Sequence, residues 1–227
     1  MIPLTQALSQ TKPLTLPIPR LRVRHLPVKR IFDILFSVLV LTLGSPLFLL
    51  IALLIKCTSK GKVIYYQTRV GRGGKTFKCY KFRTMYKDAD RRLQSMLDES
   101  EEMRKEWIEQ RKLKKDPRVT RIGKLLRKTS LDELPQFYNV LKGNLSIVGP
   151  RPVVQEEINE YFGVKAYKIL SIRPGLTGIW QVSGRNNTSY AHRVHLDETY
   201  VDTRSFWLDL KLIIKTIPCM LFARGAY

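Results

Sequence analysis

Two adjacent carboxylates, Asp132 and Glu133, are the residues whose type and spacing most directly suggest chemistry. They lie in the segment RKTSLDELPQ, residues 127–136. Ser130 and Glu133 have the spacing of a capping box, which predicts the start of a helix. Pro135 would lie too deep in a helix that began at Ser130, so we expect the helix to begin later or to be distorted.

A helix start would favour negative charge on this pair. The free N–H groups and the helix dipole stabilise anions there, so we expect both carboxylates to stay ionised and phosphate to be attracted. An ionised Asp132 can act as a nucleophile or as a metal ligand. A purely structural role in helix capping remains open for the pair at this point.

Basic residues precede the pair along the chain. Residues 111–128 contain nine basic residues and a single acid, Asp116. Between Arg118 and Lys128, basic residues recur on one side of a predicted helix and apolar residues on the other. We expect this basic face, which includes Arg127, to guide an anion toward the carboxylates.

A second candidate for anion binding lies downstream, after a short predicted strand over residues 145–148. Pro150 and Pro152 should hold Arg151 in a rigid, non-helical turn. The planar guanidinium of Arg151 suits bidentate contact with a phosphate group. Loops rich in Gly, Arg and Asn follow at 173–178 and 181–186, and long loops of this kind are often functional.

Several other kinds of site are not supported. The three cysteines form no C-x-x-C pair, which argues against a disulfide framework, a zinc site or a redox site. The segment Gly71–Thr76 ends like a P-loop, but Arg69 stands where the first glycine is required and a strand is expected next. His192 and His195 could form a metal pair on a predicted helix, although solvated or core histidines are more common.

The elements that position these residues can be predicted from local patterns. Residues 62–70 and 76–85 are rich in β-branched and aromatic residues around a Gly-rich turn, which predicts a β-hairpin. Apolar residues at helical spacing predict a helix over 86–111 that packs on the core. The apolar segment 206–222 predicts a further helix, either in the core or at a membrane interface.

An apolar segment of 25 residues, Ile31–Ile55, precedes the hairpin and contains one charge, Asp33. Its length is sufficient to span a bilayer. Pro46 should kink the helix, and Ser45 could bond a backbone group that the kink frees. Because basic residues flank both ends, both ends should stay in the cytoplasm, so the segment should enter the membrane, bend and return to the same side. A kinked spanning helix is the alternative that composition leaves open.

Composition restricts the class of protein. The chain has 227 residues, a formal net charge of +21 and 44% hydrophobic residues. This balance predicts a folded, strongly basic protein with an anionic partner: nucleic acid, membrane phospholipid or a phosphorylated substrate. Residues 1–28 should form a basic, flexible tail. No common nucleic-acid-binding motif is visible, so we expect no nucleic-acid partner.

Taken together, these segments resemble the bacterial sugar transferase family, the monotopic phosphoglycosyl transferases. The resemblance runs in family order through KRIFD (29–33), Ser45-Pro46, KFRTM (81–85), RKTSLDELPQ (127–136), GPRP (149–152) and RPGLTG (173–178). It implies an α+β fold: a small, mostly helical domain with a short β-hairpin, anchored by an N-terminal re-entrant helix-break-helix. The implied division is tail 1–28, membrane helix 29–56 and catalytic domain with interfacial helices 57–227.

The resemblance also implies an activity at the cytoplasmic face of the bacterial inner membrane. A hexose 1-phosphate would pass from a UDP-sugar to undecaprenyl phosphate, releasing UMP, as the first membrane step of exopolysaccharide, capsule or O-antigen synthesis. Asp132 would be the nucleophile, Glu133 would hold Mg²⁺, and Arg127 and Arg151 would bind phosphates. Galactose or glucose is the implied sugar, and a homo-oligomer stays open. The alternative is a non-enzymatic, membrane-anchored module that binds anionic lipid or nucleic acid.

Overall fold

The computed structural model describes residues 27–110, 113, 116–183 and 189–221, so most of the expected N-terminal tail lies outside the described residues. The fold is mostly helical with two small sheets, as expected for an α+β protein. The first half contains α1 (Pro27–Leu43), α2 (Ser45–Thr58), β1 (Ile64–Val70), β2 (Thr76–Phe82), α3 (Ala89–Glu99), α4 (Glu101–Gln110), α5 (Arg121–Lys128) and α6 (Gln136–Leu141). The second half contains β3 (Ser146–Val148), α7 (Gln155–Glu157), which continues as a π-helical turn to Phe162, α8 (Lys165–Ile169), β4 (Gly175–Thr177), α9 (Ile179–Val182), α10 (Tyr190–Thr203) and α11 (Phe206–Leu221).

The apolar N-terminal segment forms two helices, α1 and α2, bent by 59° at Gly44. The Ser45 hydroxyl donates a 2.8 Å hydrogen bond to the Thr42 carbonyl, which confirms that Ser45 satisfies a backbone group at the break. Among the described helices, none alone has the length and apolar character of a membrane span, whereas α1 and α2 meet that criterion as a bent pair. Leu35 and Leu49 are 64% and 72% exposed, so the pair presents apolar surface.

The first two turns of α1 are attached to the rest of the protein by charged groups. The Lys29 ammonium lies 2.6 Å from an Asp209 carboxylate oxygen on α11. Asp33 is buried, and its carboxylate accepts a 3.1 Å hydrogen bond from the Ile147 N–H on β3. The one charge inside the apolar segment is therefore turned toward the protein.

Arg30 attaches the first turn of α1 to α6. Its guanidinium donates 2.8 Å and 3.1 Å hydrogen bonds to the carbonyls of Val140 and Leu141. These carbonyls lie at the carboxyl end of α6, where a cation is favoured and backbone acceptors lack intrahelical partners. Arg30 therefore caps the helix that follows the carboxylate pair.

The predicted β-hairpin is confirmed, with β1 antiparallel to β2 from Ile64↔Phe82 to Val70↔Thr76. Gly73 in the connecting turn has a φ of 68°, which glycine adopts without strain. The second strand ends at Phe82, earlier than the expected residue 85, because the chain then runs alongside α5. There the Thr84 carbonyl accepts a 2.9 Å hydrogen bond from the Thr120 N–H.

The single helix expected over 86–111 is wrong, since the structure has two helices, α3 and α4. Ser100 lies between them in an extended conformation, with φ −134° and ψ 113°. Its hydroxyl accepts a 3.3 Å hydrogen bond from the Met103 N–H, so it caps the start of α4. A local serine cap therefore competes with continuation of the helix.

A short parallel sheet lies at the centre of the molecule. Ser146 pairs with Gly175, and Val148 pairs with Thr177. A Cβ on Gly175 would lie 2.1 Å from the Gly149 nitrogen, so this close backbone approach requires glycine. The surrounding core comes from both halves of the chain and includes Cys79, Val140, Leu145, Ile147, Val148, Tyr200 and Leu212.

The C-terminal apolar segment forms α11, as predicted. Leu212 and Asp209 are buried on one side of this helix, while Trp207 is 78% exposed and Ile214 is 66% exposed on the other. One face of α11 therefore belongs to the core, while the other is exposed and apolar, and the interfacial interpretation stays a prediction for that face.

Candidate active site

Asp132 and Glu133 lie in one 3-10 turn, Leu131–Glu133, between α5 and α6. Ser130 precedes this turn in the left-handed region, with a φ of 57°. The predicted capping box is wrong, because the Ser130 side chain makes no cap hydrogen bond. The α-helix begins later, at Gln136 after Pro135, as the depth of that proline predicted. A non-glycine residue in the left-handed region is strained, and such strain is often retained at functional sites.

The carboxylate turn is held in place by close packing of α5. The Thr120 hydroxyl accepts a 2.9 Å hydrogen bond from the Gly123 N–H and so caps α5. A Cβ on Gly123 would lie 2.0 Å from the Thr84 carbonyl oxygen, so only glycine permits this approach. Arg127 then reaches back, and its Nε donates a 2.9 Å hydrogen bond to the Thr84 hydroxyl.

The expected division of α5 into a basic and an apolar face is only partly present. Arg118 is buried and pairs with Asp116 at 2.7 Å, and its guanidinium lies over the Trp107 ring at 4.9 Å. Leu125, expected on the apolar side, is exposed. The α-helix begins only at Arg121, so Arg118 precedes it and does not follow its periodicity.

Glu133 is paired with a residue that our sequence analysis did not assign to the site, Lys81 on β2. The Lys81 ammonium lies 2.6 Å from a Glu133 carboxylate oxygen, and 38% of the Glu133 side chain is exposed. The KFRTM segment, in which Lys81 is the first residue, was the available sequence signal. The hairpin therefore contributes directly to the site.

The pKa values of the two carboxylates are shifted in opposite directions. Burial raises the pKa of Asp132 to about 6, and the neighbouring charge of Glu133 adds to this effect, while Lys81 and Arg127 oppose it. Burial also acts to raise the pKa of Glu133, but the charge and hydrogen bond of Lys81 outweigh it and hold that pKa below its usual value. Both carboxylates are therefore mostly ionised at neutral pH, but the expected stabilisation by a helix start does not lower the pKa of Asp132. Opposite shifts in an adjacent pair are typical of groups with different catalytic roles.

A cleft opens beside Glu133 and brings basic residues from distant segments together. It is lined by Arg69, Cys79, Lys81, Glu133, Gln136, Arg151, Pro152, Gly175, Leu176 and Gln181. The Arg69 guanidinium also donates a 3.3 Å hydrogen bond to the Pro152 carbonyl and supports the turn that carries Arg151. Of the predicted site residues, Glu133 and Arg151 share this cleft, and Arg127 acts electrostatically on Asp132. Ser45 and Pro46 lie at the start of α2, beside the bend between α1 and α2, and do not line this cleft.

Arg151 is positioned by two residues from the following helices. The backbone N–H of Arg151 donates a 3.3 Å hydrogen bond to the Asp197 carboxylate on α10, and its guanidinium lies 5.0 Å from the centre of the Trp180 ring. Asp197 is buried, and burial raises its pKa to about 7 although Arg151 opposes the shift. The Arg193 guanidinium lies 5.3 Å from the same Trp180 ring.

Two buried polar atoms beside Arg151 have no hydrogen-bond partner among the described residues, the Gln181 side-chain oxygen and the Trp180 indole nitrogen. Buried polar atoms normally have partners, and a functional site is one explanation for an exception. Gln181 also lines the cleft. The loop that continues from it, residues 184–188, lies outside the described residues.

The carboxylates suit a hard divalent cation. Mg²⁺ is usually bound through one or two carboxylates plus substrate phosphates and retains several waters. Glu133 fits this role because it is partly exposed and its pKa is lowered. In the described part of the chain no group of three or more His, Cys, Asp or Glu residues is arranged around a common metal position. His192 and His195 are exposed on α10, consistent with solvated histidines.

Comparison with known proteins places this site in a family. The family model described as bacterial sugar transferase matches residues 24–223 of the chain. The chain belongs to the bacterial sugar transferase family. It is therefore a transferase enzyme, as the resemblance of its motifs implied, and the non-enzymatic alternative is set aside.

Three relatives within the family each match 88% of this chain. The exopolysaccharide production protein ExoY of Sinorhizobium fredii is 49% identical over 199 residues, covering 88% of each chain. The undecaprenyl-phosphate galactose phosphotransferase of Salmonella typhimurium is 46% identical over 201 residues, which are 88% of this chain and 42% of that protein. The UDP-glucose:undecaprenyl-phosphate glucose-1-phosphate transferase of Klebsiella pneumoniae is 40% identical over 208 residues, 88% of this chain and 41% of that protein.

Proposed function

We propose that this enzyme transfers a hexose 1-phosphate from a UDP-sugar to undecaprenyl phosphate and releases UMP. Relatives named for this transfer use galactose or glucose, and another is named for exopolysaccharide production. The reaction would be the first membrane step in the synthesis of an exopolysaccharide, capsule or O-antigen.

The observation that carries this proposal is the pair of adjacent carboxylates with opposite pKa shifts beside a cleft lined by Arg69, Lys81 and Arg151. Phosphoryl transfer depends mainly on positioning the reactants and neutralising the charge of the phosphate oxygens. Cations from three separate segments supply that neutralisation. No acid–base histidine is required.

The proposed reaction has two steps on one carboxylate. In the first, an Asp132 oxygen attacks the sugar-bearing phosphorus, the bond from that phosphorus to the bridging oxygen breaks, and UMP leaves. In the second, a phosphate oxygen of undecaprenyl phosphate attacks the same phosphorus and the bond to Asp132 breaks. Asp132 suits the nucleophile role because its carboxyl group, with a pKa of about 6, is mostly ionised at neutral pH, while burial leaves the carboxylate poorly solvated.

The other residues would bind and orient the substrates. Arg151, held by Asp197 and Trp180, would grip a donor phosphate through its planar guanidinium. Arg127 would stabilise the charge on Asp132 and bind phosphate nearby. Glu133 would hold Mg²⁺, which when bound neutralises charge on the phosphate oxygens. Since Lys81 already pairs with Glu133, the ammonium and the metal would compete for this carboxylate.

We also propose that α1 and α2 enter the cytoplasmic face of the bacterial inner membrane and return to the same side. The 59° bend, the exposed apolar surface and the basic flanks support this form over a spanning helix. Trp207 on the exposed face of α11 would lie at the lipid headgroups. The phosphate of a lipid acceptor would then be held close to the catalytic domain.

The test is a panel of UDP-sugars with the enzyme in nanodiscs and undecaprenyl phosphate as the acceptor. UMP release with one UDP-sugar, together with a lipid-linked sugar diphosphate, is the expected result. UDP-galactose and UDP-glucose are the first donors to compare. Absence of UMP with every UDP-sugar in the panel would contradict the proposed reaction.

A further inference from the structure

A second cavity lies at the base of α1, separate from the cleft beside Glu133. It has a volume of about 240 Å³, several times the ~30 Å³ that a water molecule occupies in the liquid. It is lined by Pro27, Lys29, Arg30, Asp33, Arg72, Ser146, Val148, Ile172, Arg173, Tyr200 and Arg204. Basic side chains therefore outnumber the single acid among the described lining residues.

Guanidinium groups from three distant segments converge on this cavity. A Cβ on Gly143 would lie 3.5 Å from an Arg30 nitrogen and 4.0 Å from the Arg173 Nε, so both arginines approach the same point. Arg72 comes from the hairpin turn, which is fixed by a 2.7 Å hydrogen bond from the Gly73 N–H to the Leu170 carbonyl. Burial lowers the pKa of Arg173, and the charges of Arg72 and Arg30 lower it further.

The described acids around the cavity are already engaged. Lys29 is neutralised by Asp209 at 2.6 Å, and one Asp33 oxygen accepts the Ile147 N–H. Among the described lining residues, the Asp33 carboxylate is therefore the single negative group near several guanidinium groups. Repulsion between like charges is relieved when an anion with several acceptor oxygens binds among them.

Ser146 supplies an independent sign of a ligand. Ser146 is 2% exposed and lines the cavity, and its hydroxyl has no hydrogen-bond partner among the described residues. A buried hydroxyl without a partner is costly, by about 1–3 kcal/mol in typical proteins. An anion bound among the arginines would accept this hydrogen bond.

We propose that this cavity is a binding site for a phosphate group, carried either by a membrane lipid headgroup or by a small soluble molecule. This site goes beyond the proposed transfer reaction. Arg30 caps the carboxyl end of α6, whereas Asp132 and Glu133 precede its amino end. Six residues of α-helix span about 9 Å, so a phosphate held here is an auxiliary ligand and not the reacting group.

The full-length protein in neutral detergent micelles provides the test, with its thermal midpoint as the readout of binding. The soluble probe is inorganic phosphate, and the lipid probe is phosphatidylglycerol added to the micelles, with diacylglycerol as the phosphate-free lipid control. We expect a saturable rise in the midpoint. A rise with phosphatidylglycerol alone assigns the site to lipid headgroups, and a rise with inorganic phosphate assigns it to soluble phosphates.

Variants localise the effect. Arg72→Gln should weaken the apparent affinity about tenfold, as expected for loss of one charge-assisted hydrogen bond, and Ser146→Ala should weaken it without lowering the ligand-free midpoint. Lys75→Gln is the matched control, since it removes the same charge from the same turn but does not line the cavity. Arg151→Gln, in the catalytic cleft, should leave this binding intact.

The proposal is overturned if neither phosphate-bearing probe raises the midpoint, or if diacylglycerol raises it equally. It is also overturned if Arg72→Gln and Lys75→Gln behave alike, or if Arg151→Gln abolishes the effect. UMP release is measured on the same preparations. A wild-type protein that releases UMP but binds neither probe refutes this cavity alone and leaves the transfer reaction standing.

Discussion

Lys81 and Glu133, 52 residues apart in sequence, form an ion pair of 2.6 Å at the edge of the candidate cleft beside Arg69 and Arg151. The pair connects the β-hairpin to the carboxylate turn. It also makes the pKa values of the two neighbouring acids differ. The Lys81 ammonium lowers the pKa of Glu133, but its effect on Asp132 is smaller than the rise in pKa that burial causes there.

We predict that Lys81→Gln lowers kcat/KM about 10- to 100-fold, the range expected for loss of a charge-assisted contact. The acidic limb of the pH–rate profile should also move to higher pH, because the pKa values of both carboxylates rise without Lys81. Lys78→Gln is the control on the same strand, where Lys78 is exposed over the Tyr66 ring at 4.6 Å. A Lys81→Gln enzyme with an unchanged profile would contradict this role.

Asp132→Asn should abolish the covalent step. With the correct UDP-sugar and no lipid acceptor, wild-type enzyme should release about one UMP per active site and gain a sugar-phosphate mass on the Asp132 peptide. Mass spectrometry should find neither signal in Asp132→Asn, and turnover should fall at least about 10⁴-fold. UMP release only in the presence of the acceptor would instead indicate direct transfer.

Glu133→Gln is the matched variant for Asp132→Asn. It removes the adjacent carboxylate with nearly the same shape, so Asp132 should still react, slowly. Its rate should depend less steeply on Mg²⁺ concentration, since carboxylate oxygen is the preferred ligand. An unchanged Mg²⁺ titration in Glu133→Gln would remove Glu133 from the metal site.

Arg151→Lys should lose most of the activity, by about 100-fold, because a point charge does not reproduce the planar fork that binds phosphate in a bidentate manner. Arg193→Lys tests the stacking contribution separately. Arg193 lies over the same Trp180 ring as Arg151 but does not line the cleft. Equal losses in the two variants would show that stacking on Trp180, and not phosphate contact, determines the effect.

Pro46→Ala should favour a straight spanning helix and move the N-terminus to the periplasm. The reason is that alanine continues the helix through the 59° break, where proline cannot donate a backbone hydrogen bond. Single cysteines before Lys29 and after Lys62 report the sides of the membrane by labelling. Periplasmic labelling of the first site in the protein with Pro46 intact would contradict the re-entrant form.

Asp197→Asn should stabilise the protein increasingly as the pH rises from about 4 to 7. Burial in the folded state raises the pKa of Asp197 from its ordinary value of 3.8 to about 7, so the folded state binds more protons than the unfolded state and loses stability as the pH rises through this window. Each pKa unit corresponds to about 1.4 kcal/mol. The difference in thermal midpoint between variant and wild type, measured from pH 4 to 8, isolates this group from the other acids.

Local pattern was sufficient to predict several elements. The β-hairpin follows from two β-rich segments and a glycine turn, and the break in the apolar segment follows from Pro46 and Ser45. The late start of α6 follows from the position of Pro135. In each case the determining interaction lies within a few residues of the signal.

Other features depend on partners that are distant in sequence or on local competition. The Lys81–Glu133 pair and the burial of Asp132 exist only after the hairpin and α5 pack together, so sequence spacing does not predict them. The break at Ser100 was missed because apolar spacing continues through it while a single side-chain hydrogen bond decides the local conformation. The sequence therefore identified the carboxylates and Arg151 as candidates, but it did not predict the raised pKa of Asp132.

The buried hydrogen bond between Asp33 and the Ile147 N–H sets an order on biosynthesis. The apolar helix leaves the ribosome 114 residues before its backbone partner. Until β3 forms, the Asp33 carboxylate lacks this backbone donor, and an acid within an apolar segment is costly to bury without a partner. In the proposed re-entrant form, stable insertion would therefore follow folding of the downstream chain. Residues 27–58 fused to a different protein would therefore be a poor membrane anchor, because that protein would lack the backbone N–H that donates to the Asp33 carboxylate.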